Sequence, residues 1–146
     1  MRHALTFRTA NTDDIDEISR LWNIAGLGGD DAYNSHEIAV RLREDDGLFI
    51  VGFDPDSPHV LRAVAMGCND NHRGWVKRVA VDPALRGAGV GRALIDELEK
   101  RFVAAGIEQL RLSVYEDNET ALAFWESMDF VELPEIRYFT KDLRQK

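Results

Sequence analysis

The residues with the plainest chemistry in this chain are Arg86-Gly87-Ala88-Gly89-Val90-Gly91. An apolar run, Val79-Ala80-Val81, leads through Asp82-Pro83 into them, and a helical pattern through Leu94, Leu98 and Phe102 begins inside the glycines. A strand that ends, a loop poor in side chains and a helix that starts there make a site for a phosphate-bearing ligand. The first N–H groups of a helix have no partner within it, and its dipole favours negative charge at that end. Glycines let the ligand's oxygens come close to those groups. Spacing narrows the choice. The dinucleotide fingerprint G-x-G-x-x-G fails because the third glycine falls at Gly91 and Arg92 follows; the triphosphate loop fails because no lysine follows the last glycine. What fits is R-x-x-G-x-G, from Arg86 through Gly89 to Gly91.

A second constellation lies further on. Leu112-Ser113-Val114-Tyr115-Glu116-Asp117-Asn118 reads as a strand stopping at an acidic turn, with Asn118 capping the next helix. Ala121, Phe124, Trp125 and Met128 then share one helical face, followed by Asp129-Phe130. Taken alone, that stripe reads as core. Together the two segments resemble the signatures of the GNAT superfamily of acyl-CoA-dependent N-acyltransferases, and the element order extends the resemblance over essentially the whole chain.

The resemblance implies an N-acetyltransferase that moves an acetyl group from acetyl-CoA to a primary amine, by direct attack in a ternary complex. It implies that two strands splay apart and that the backbone of Val79, Ala80 and Val81 holds the pantetheine arm between them. The N–H groups of Arg86, Gly87, Ala88, Gly89, Val90 and Gly91 would take the pyrophosphate, with Arg92 near the phosphates. Asn118 would contact the pantetheine, and Ala121 and Phe124 would line the cofactor. No metal is implied. The acceptor is a small-molecule amine or a peptide amine, and Phe130 to Phe139 is the segment that a family-like homodimer would use. Two alternatives stay open: a CoA-binding module that transfers nothing, and a protein N-terminal or lysine acetyltransferase.

The chain also departs from the pattern. Many members carry a tyrosine where Trp125 stands, and its hydroxyl protonates the departing thiolate; an indole N–H cannot. The branch acting on ribosomal-protein N-termini carries a glutamate base where Ser113 stands. For the base that deprotonates the amine, the candidates are His72 and Glu116, with Asp70 and Tyr115 behind them. Histidine changes charge near neutral pH, and Glu116 adjoins the Asn118 turn. Cys68 lies outside both motifs and reads as a small buried hydrophobe, which favours direct attack over a covalent enzyme intermediate. Gly67 to Gly74 contains a His-Arg-Gly stretch found in one bacterial branch of the family. Asp30, Asp31 and Tyr33 sit where this fold selects its acceptor.

The elements that must position these residues are legible from periodicity. Leu5 to Thr9 reads as a strand; Asn11 to Asp14 caps a helix carrying Ile15, Ile18, Leu21, Trp22 and Ala25. Gly26 to Asp31 is a break, and Ser35 or Asn34 caps a second helix that ends near Gly47. Leu48–Phe53 and Val60–Cys68 read as a hairpin, and Trp75–Val81 as the strand feeding the glycine loop, with Lys77 and Arg78 as ordinary strand residues. The helix from Val90 stops at Gly106; Ile107–Tyr115 is a strand, Asn118–Met128 a helix, and Val131–Thr140 a last strand interrupted by Pro134. The order β-α-α-β-β-β-α-β-α-β predicts a single α/β domain over residues 1–146. By resemblance this is the GNAT fold, a central mixed, mostly antiparallel sheet flanked by helices.

Composition supports an anionic ligand. The net charge of −8 is uneven: residues 1–60 carry −7, residues 61–101 carry +3, and residues 102–146 carry −4. The one positive segment holds the glycine loop. The acidic remainder argues against nucleic acid and suits cationic acceptors such as amines. No apolar stretch is long enough for a membrane span, the start lacks the apolar core of a signal peptide, and the single cysteine fits a reducing compartment. A cytoplasmic protein is expected.

Overall fold

The computed structural model describes residues 2–144; Met1, Gln145 and Lys146, the ends of the expected domain, lie outside it. The chain divides into two units, one running to Leu112 and one from Ser113 on.

In the first unit, β1 (Thr6–Thr9) passes through a single 3-10 turn into α1 (Ile15–Ile24). Asn11 caps that turn with its side chain and Asp14 returns the bond to the Asn11 amide, so reciprocal capping fixes the entry to α1. The glycine-rich break follows, with Gly26, Gly28 and Gly29 all at positive φ. Helix α2 (Asp31–Leu42) starts earlier than Ser35 or Asn34. Asp30 is its cap, accepting from the Tyr33 amide at 2.7 Å, while Asn34 is buried and donates to Ser19 and Asn23 of α1. With Asn34 drawn into the interior, Asp30, four to five residues upstream of the expected caps, takes that role.

Strands β2 (Phe49–Phe53), β3 (Leu61–Asn69) and β4 (Gly74–Val81) lead through a second 3-10 turn, Pro83–Leu85, into α3 (Val90–Ala104) and then β5 (Leu110–Arg111). The sheet runs β1-β2-β3-β4-β5, antiparallel except for the parallel β4–β5 pair. Ile18, Leu21 and Trp22 of α1 and Ile38 of α2 bury themselves against Phe49, Val51, Val64, Met66 and Ala80. The opposite face receives α3. A Cβ on Gly67 would stand 2.9 Å from Phe102, and one on Gly74 would stand 2.6 Å from both Phe102 and Leu110, so glycine at each is what lets α3 lie close. This accounts for the last residue of the His-Arg-Gly stretch, and Arg73 donates to Gln109 at 2.9 Å to tie its turn to the segment before β5.

In the second unit, α4 (Glu119–Ser127) is capped by Asn118, whose side chain accepts from the Ala121 amide at 3.1 Å. The helix ends at Asp129, which takes the left-handed conformation at φ 68° as the Phe130 amide returns to the Trp125 carbonyl at 3.0 Å.

Two strand expectations need correction. Only Leu110–Arg111 of the expected Ile107–Tyr115 pairs, and Val131–Thr140 forms no strand among the described residues. Pro134 brings no N–H to a ladder, and the turn it opens, with the Ile136 amide donating to Leu133 at 3.1 Å, breaks the alternation a strand needs.

Candidate active site

The 3-10 turn before the glycines is anchored from both sides. Asp82 caps it by accepting from the Ala84 amide at 2.9 Å, and its other oxygen takes Arg62 Nε at 2.9 Å. Arg62 also reaches Asp54, and Asp54 shares a 2.6 Å hydrogen bond with His3 Nε2. The bond to His3 leads the causes that hold the Asp54 carboxyl below its ordinary value, with Arg62 adding to it. Leu85 and Val90 are buried at the two ends of the loop, leaving Arg86, Gly87 and Gly89 exposed between them.

Gly87 and Gly89 stand at φ 75° and 81°, the left-handed region that side chains rarely adopt. Space around them is open. A Cβ on Gly87 would meet nothing within 4 Å, and one on Gly89 only the Arg2 side chain at 3.6 Å. The N-terminal segment lies along the loop, the His3 amide donating to the Ala88 carbonyl at 2.9 Å. Not every loop amide is available to a ligand. Arg86 N–H is directed to Pro83 and Ala88 N–H to Leu85, both closing the turn. Among the described residues the amides of Gly87, Gly89, Val90 and Gly91 donate to no backbone carbonyl. The cradle is therefore narrower than the six consecutive N–H groups expected from sequence.

Strand β4, which feeds the loop, is not regular. Met66 faces Lys77 and Val64 faces Ala80, so Ala65 stands opposite two residues, Arg78 and Val79. The extra residue is a β-bulge, and Arg78 takes φ 52° there. A left-handed conformation costs a residue with a Cβ about 1–2 kcal/mol. Lys77 is exposed as expected, but Arg78 is not a solvated strand residue. It donates from Nε and Nη2 to both Glu37 oxygens, at 3.1 and 2.8 Å, and from Nη1 to the Leu27 carbonyl at 2.9 Å, with its guanidinium over the Trp22 ring. The hydrogen bond to Glu37 outweighs the opposing desolvation and raises the Arg78 pKa further above its ordinary range. On its other edge β4 pairs with β5 only at Gly74 and Trp75, so from Val76 to Val81 that edge has no strand beside it among the described residues. An unpaired edge is a template for an extended ligand.

The remaining candidates are dispersed. His72 sits exposed in the turn before β4, lining a polar cavity of about 430 Å³ with Asn71, Arg73 and Glu108. Seven residues of extended chain separate it from Val79, roughly 20 Å at the rise of a strand. Asp70 accepts the amides of Arg73 and His72, and those bonds lower its carboxyl below the ordinary value. Asp30 is engaged as the α2 cap, and Asp31 accepts from Ser19 and Asn23, while Tyr33 stays exposed. In the second unit Glu116 and Tyr115 are exposed in the turn that Asn118 closes, and Ala121, Phe124 and Trp125 are half-buried. Trp125 makes edge contacts with Phe124 and Phe130, its ring centroid 4.9 and 5.1 Å from theirs. The described residues contain no group of three or more side chains that could hold a metal. No helix among them is long and apolar enough to cross a membrane.

Open amides at a helix N-terminus, continuous with a sheet edge left open, place the chain in a class of α/β proteins with room for an anion at the loop and an extended chain along the strand. Comparison with known proteins makes the class specific. Residues 15–130 match the model of the acetyltransferase (GNAT) family. An acetyltransferase of Yersinia pestis is 31% identical over 128 residues, covering 86% of this chain and 87% of the relative. Among solved structures, Ard1 from Thermoplasma volcanium superposes with a TM-score of 0.76 at 24% identity, covering 88% of this chain and 84% of that one. An aminoglycoside N-acetyltransferase in complex with CoA gives 0.77 at 15%, covering 94% and 95%. The chain belongs to the GNAT acetyltransferase family.

Proposed function

We propose that this chain transfers the acetyl group of acetyl-CoA to a primary amine by direct attack within a ternary complex. The observation that carries the reading is the unpaired β4 edge from Val76 to Val81 running into the glycine loop. Its geometry fits CoA: a linear amide-bearing arm against the strand edge, and a pyrophosphate at the free amides of Gly87, Gly89, Val90 and Gly91, where no Cβ intrudes. Arg86 and Arg92 add positive charge on either side of the loop. Asn118, Ala121 and Phe124 are assigned to the same cofactor by motif.

Acetyl-CoA supplies an activated thioester carbonyl. The backbone N–H groups of Val79–Val81 stabilise the negative charge that develops on its oxygen. The amine nitrogen forms the C–N bond as the C–S bond breaks; the amine's proton passes to a base and the thiolate takes one from solvent, since Trp125 has none to give. Of the two named bases, Glu116 is retained over His72, which stands at the opposite end of β4 from Val79. The acidic first 60 residues, at −7, favour a cationic acceptor. A cytoplasmic location, in keeping with the lone thiol of Cys68, belongs to the same proposal.

Thiol release from acetyl-CoA across polyamines, aminoglycosides, amino acids and lysine and N-terminal peptides tests the reading. Turnover on an amine supports it, and the peptide arms separate a protein modifier from a small-molecule enzyme. Saturable CoA binding with no turnover on any amine would replace it with the binding module.

A further inference from the structure

Arg78 joins three features. It is the strained residue of the β4 bulge, it directly precedes Val79, and its side chain is spent entirely on α1, α2 and the segment between them. The Leu27 carbonyl it grips belongs to the glycine-rich connection, in which Gly26, Gly28 and Gly29 all stand at positive φ. The other hydrogen bonds of that connection are local, the Leu27 amide donating to Trp22 and the Tyr33 amide to the Asp30 side chain, while Ala25 and Leu27 add apolar packing against the core. Tyr33 stands exposed in the first turn of α2, beside Asp30 and Asp31.

We propose that Arg78 is a positioning residue: through Leu27, Glu37 and Trp22 it clamps the acid-bearing α1–α2 connection beside the Val79 amide, and so places the acceptor amine. This rests on the reading of β4 as the thioester-binding strand. The physical basis is the fork of the guanidinium. One planar group bonds a carboxylate twice and a carbonyl once while stacking on an indole, which a lysine cannot do. The bulge makes this possible, because the extra residue turns one side chain out of the regular alternation. The acceptor then meets a surface carrying Asp30, Asp31 and Tyr33 held at a fixed distance from the reacting carbon.

The experiment combines hydrogen exchange with kinetics on the full chain. In Arg78→Ala the Leu27 and Asn34 amides should exchange roughly tenfold faster, as expected for losing a paired guanidinium and its ring contact, while α3 amides keep their rates. With an amine that the wild type acetylates, the acceptor KM should rise about tenfold and the acetyl-CoA KM stay within about twofold. Arg78→Lys should recover part of the acceptor KM, and Glu37→Gln should reproduce a smaller version of the loss in a protein whose melting is near wild type. Unchanged exchange at Leu27 overturns the clamp whether or not any amine is turned over. A wild type that binds CoA and acetylates no amine instead removes the transfer reading and with it the placing of an acceptor, and leaves the exchange result standing. Faster exchange with an unchanged acceptor KM, or an acetyl-CoA KM raised equally, overturns the positioning role.

Discussion

Substituting Gly89 by Asp and by Asn separates the two demands placed on that position. Gly89 needs a left-handed backbone at φ 81°, and it must leave the amides around it open. Asn and Asp tolerate the left-handed region better than other residues, and a Cβ there would meet Arg2 only at 3.6 Å, an ordinary contact. Both variants should therefore fold, each losing about 1 kcal/mol and melting about 2–4 °C lower. They differ in charge alone. A carboxylate about 5 Å from one phosphate charge, at an effective dielectric near 20, costs about 3 kcal/mol of binding, or roughly a hundredfold in affinity.

Calorimetric titration with CoA measures this directly. Gly89→Asn should bind several-fold more weakly than wild type, and Gly89→Asp roughly a hundredfold more weakly again at low salt, the gap narrowing as salt screens the repulsion. Equal affinities for the two variants at low salt would mean that no phosphate lies at the loop. Affinities equal to wild type would remove the site altogether. Melting temperatures far below the expected range would show instead that the turn cannot accept a side chain.

Other residues give independent tests. Trp125→Tyr places a phenol at the position where the family resemblance expects one; kcat should rise, and an unchanged kcat at every pH would show that the thiolate is protonated elsewhere. Gly74→Ala forces a methyl to within 2.6 Å of Phe102 and Leu110, so calorimetric melting should show about 1–3 kcal/mol of destabilisation with CoA affinity retained. An unshifted melting temperature would mean that α3 does not press on that strand. Burial alone would raise the Glu17 carboxyl, but the hydrogen bonds from Arg20 and the Leu61 amide outweigh it and leave it lowered. A lowered carboxyl stabilises the fold above its unfolded pKa of about 4.5 and loses that contribution as pH falls through the lower folded value. Glu17→Gln should accordingly flatten the fall in melting temperature below about pH 5; an unaltered acid limb would refute it.

The helices were readable because each carries apolar residues at helical spacing beside a cap or a glycine, and α1, α3 and α4 begin within a residue or two of where those signals put them. Asp30 shows the limit of such reading: Asn34 and Ser35 are the expected caps, yet Asn34 is buried against Ser19 and Asn23 and the helix starts at Asp31, and burial is not written locally. Ile107–Tyr115 and Val131–Thr140 carry strand formers, yet a strand exists only where an edge receives it, and for most of these residues none does. The glycine loop was legible because chemistry there needs a residue type at a spacing. The Asp82–Arg62–Asp54–His3 chain that steadies it was not, because four residues scattered from position 3 to position 82 meet only through the β2–β3–β4 register.

Arg78 shows why the least legible residue carries a strong constraint. Its sequence context, Val76-Lys77-Arg78-Val79, sets two charged residues side by side between valines. That pair breaks the alternation without saying which partners the second side chain finds, and a regular strand would put Arg78 on the face opposite Lys77. The left-handed backbone is unfavourable by about 1–2 kcal/mol and must be held by its surroundings. Four partners hold it: both Glu37 oxygens, the Leu27 carbonyl and the Trp22 ring. Those partners all lie on α1, α2 and their connection, so the bulge at Arg78 and the hold on the acidic connection go together. A change that relaxed the bulge would release the connection as well, so β4 and the acidic surface cannot be varied independently of each other.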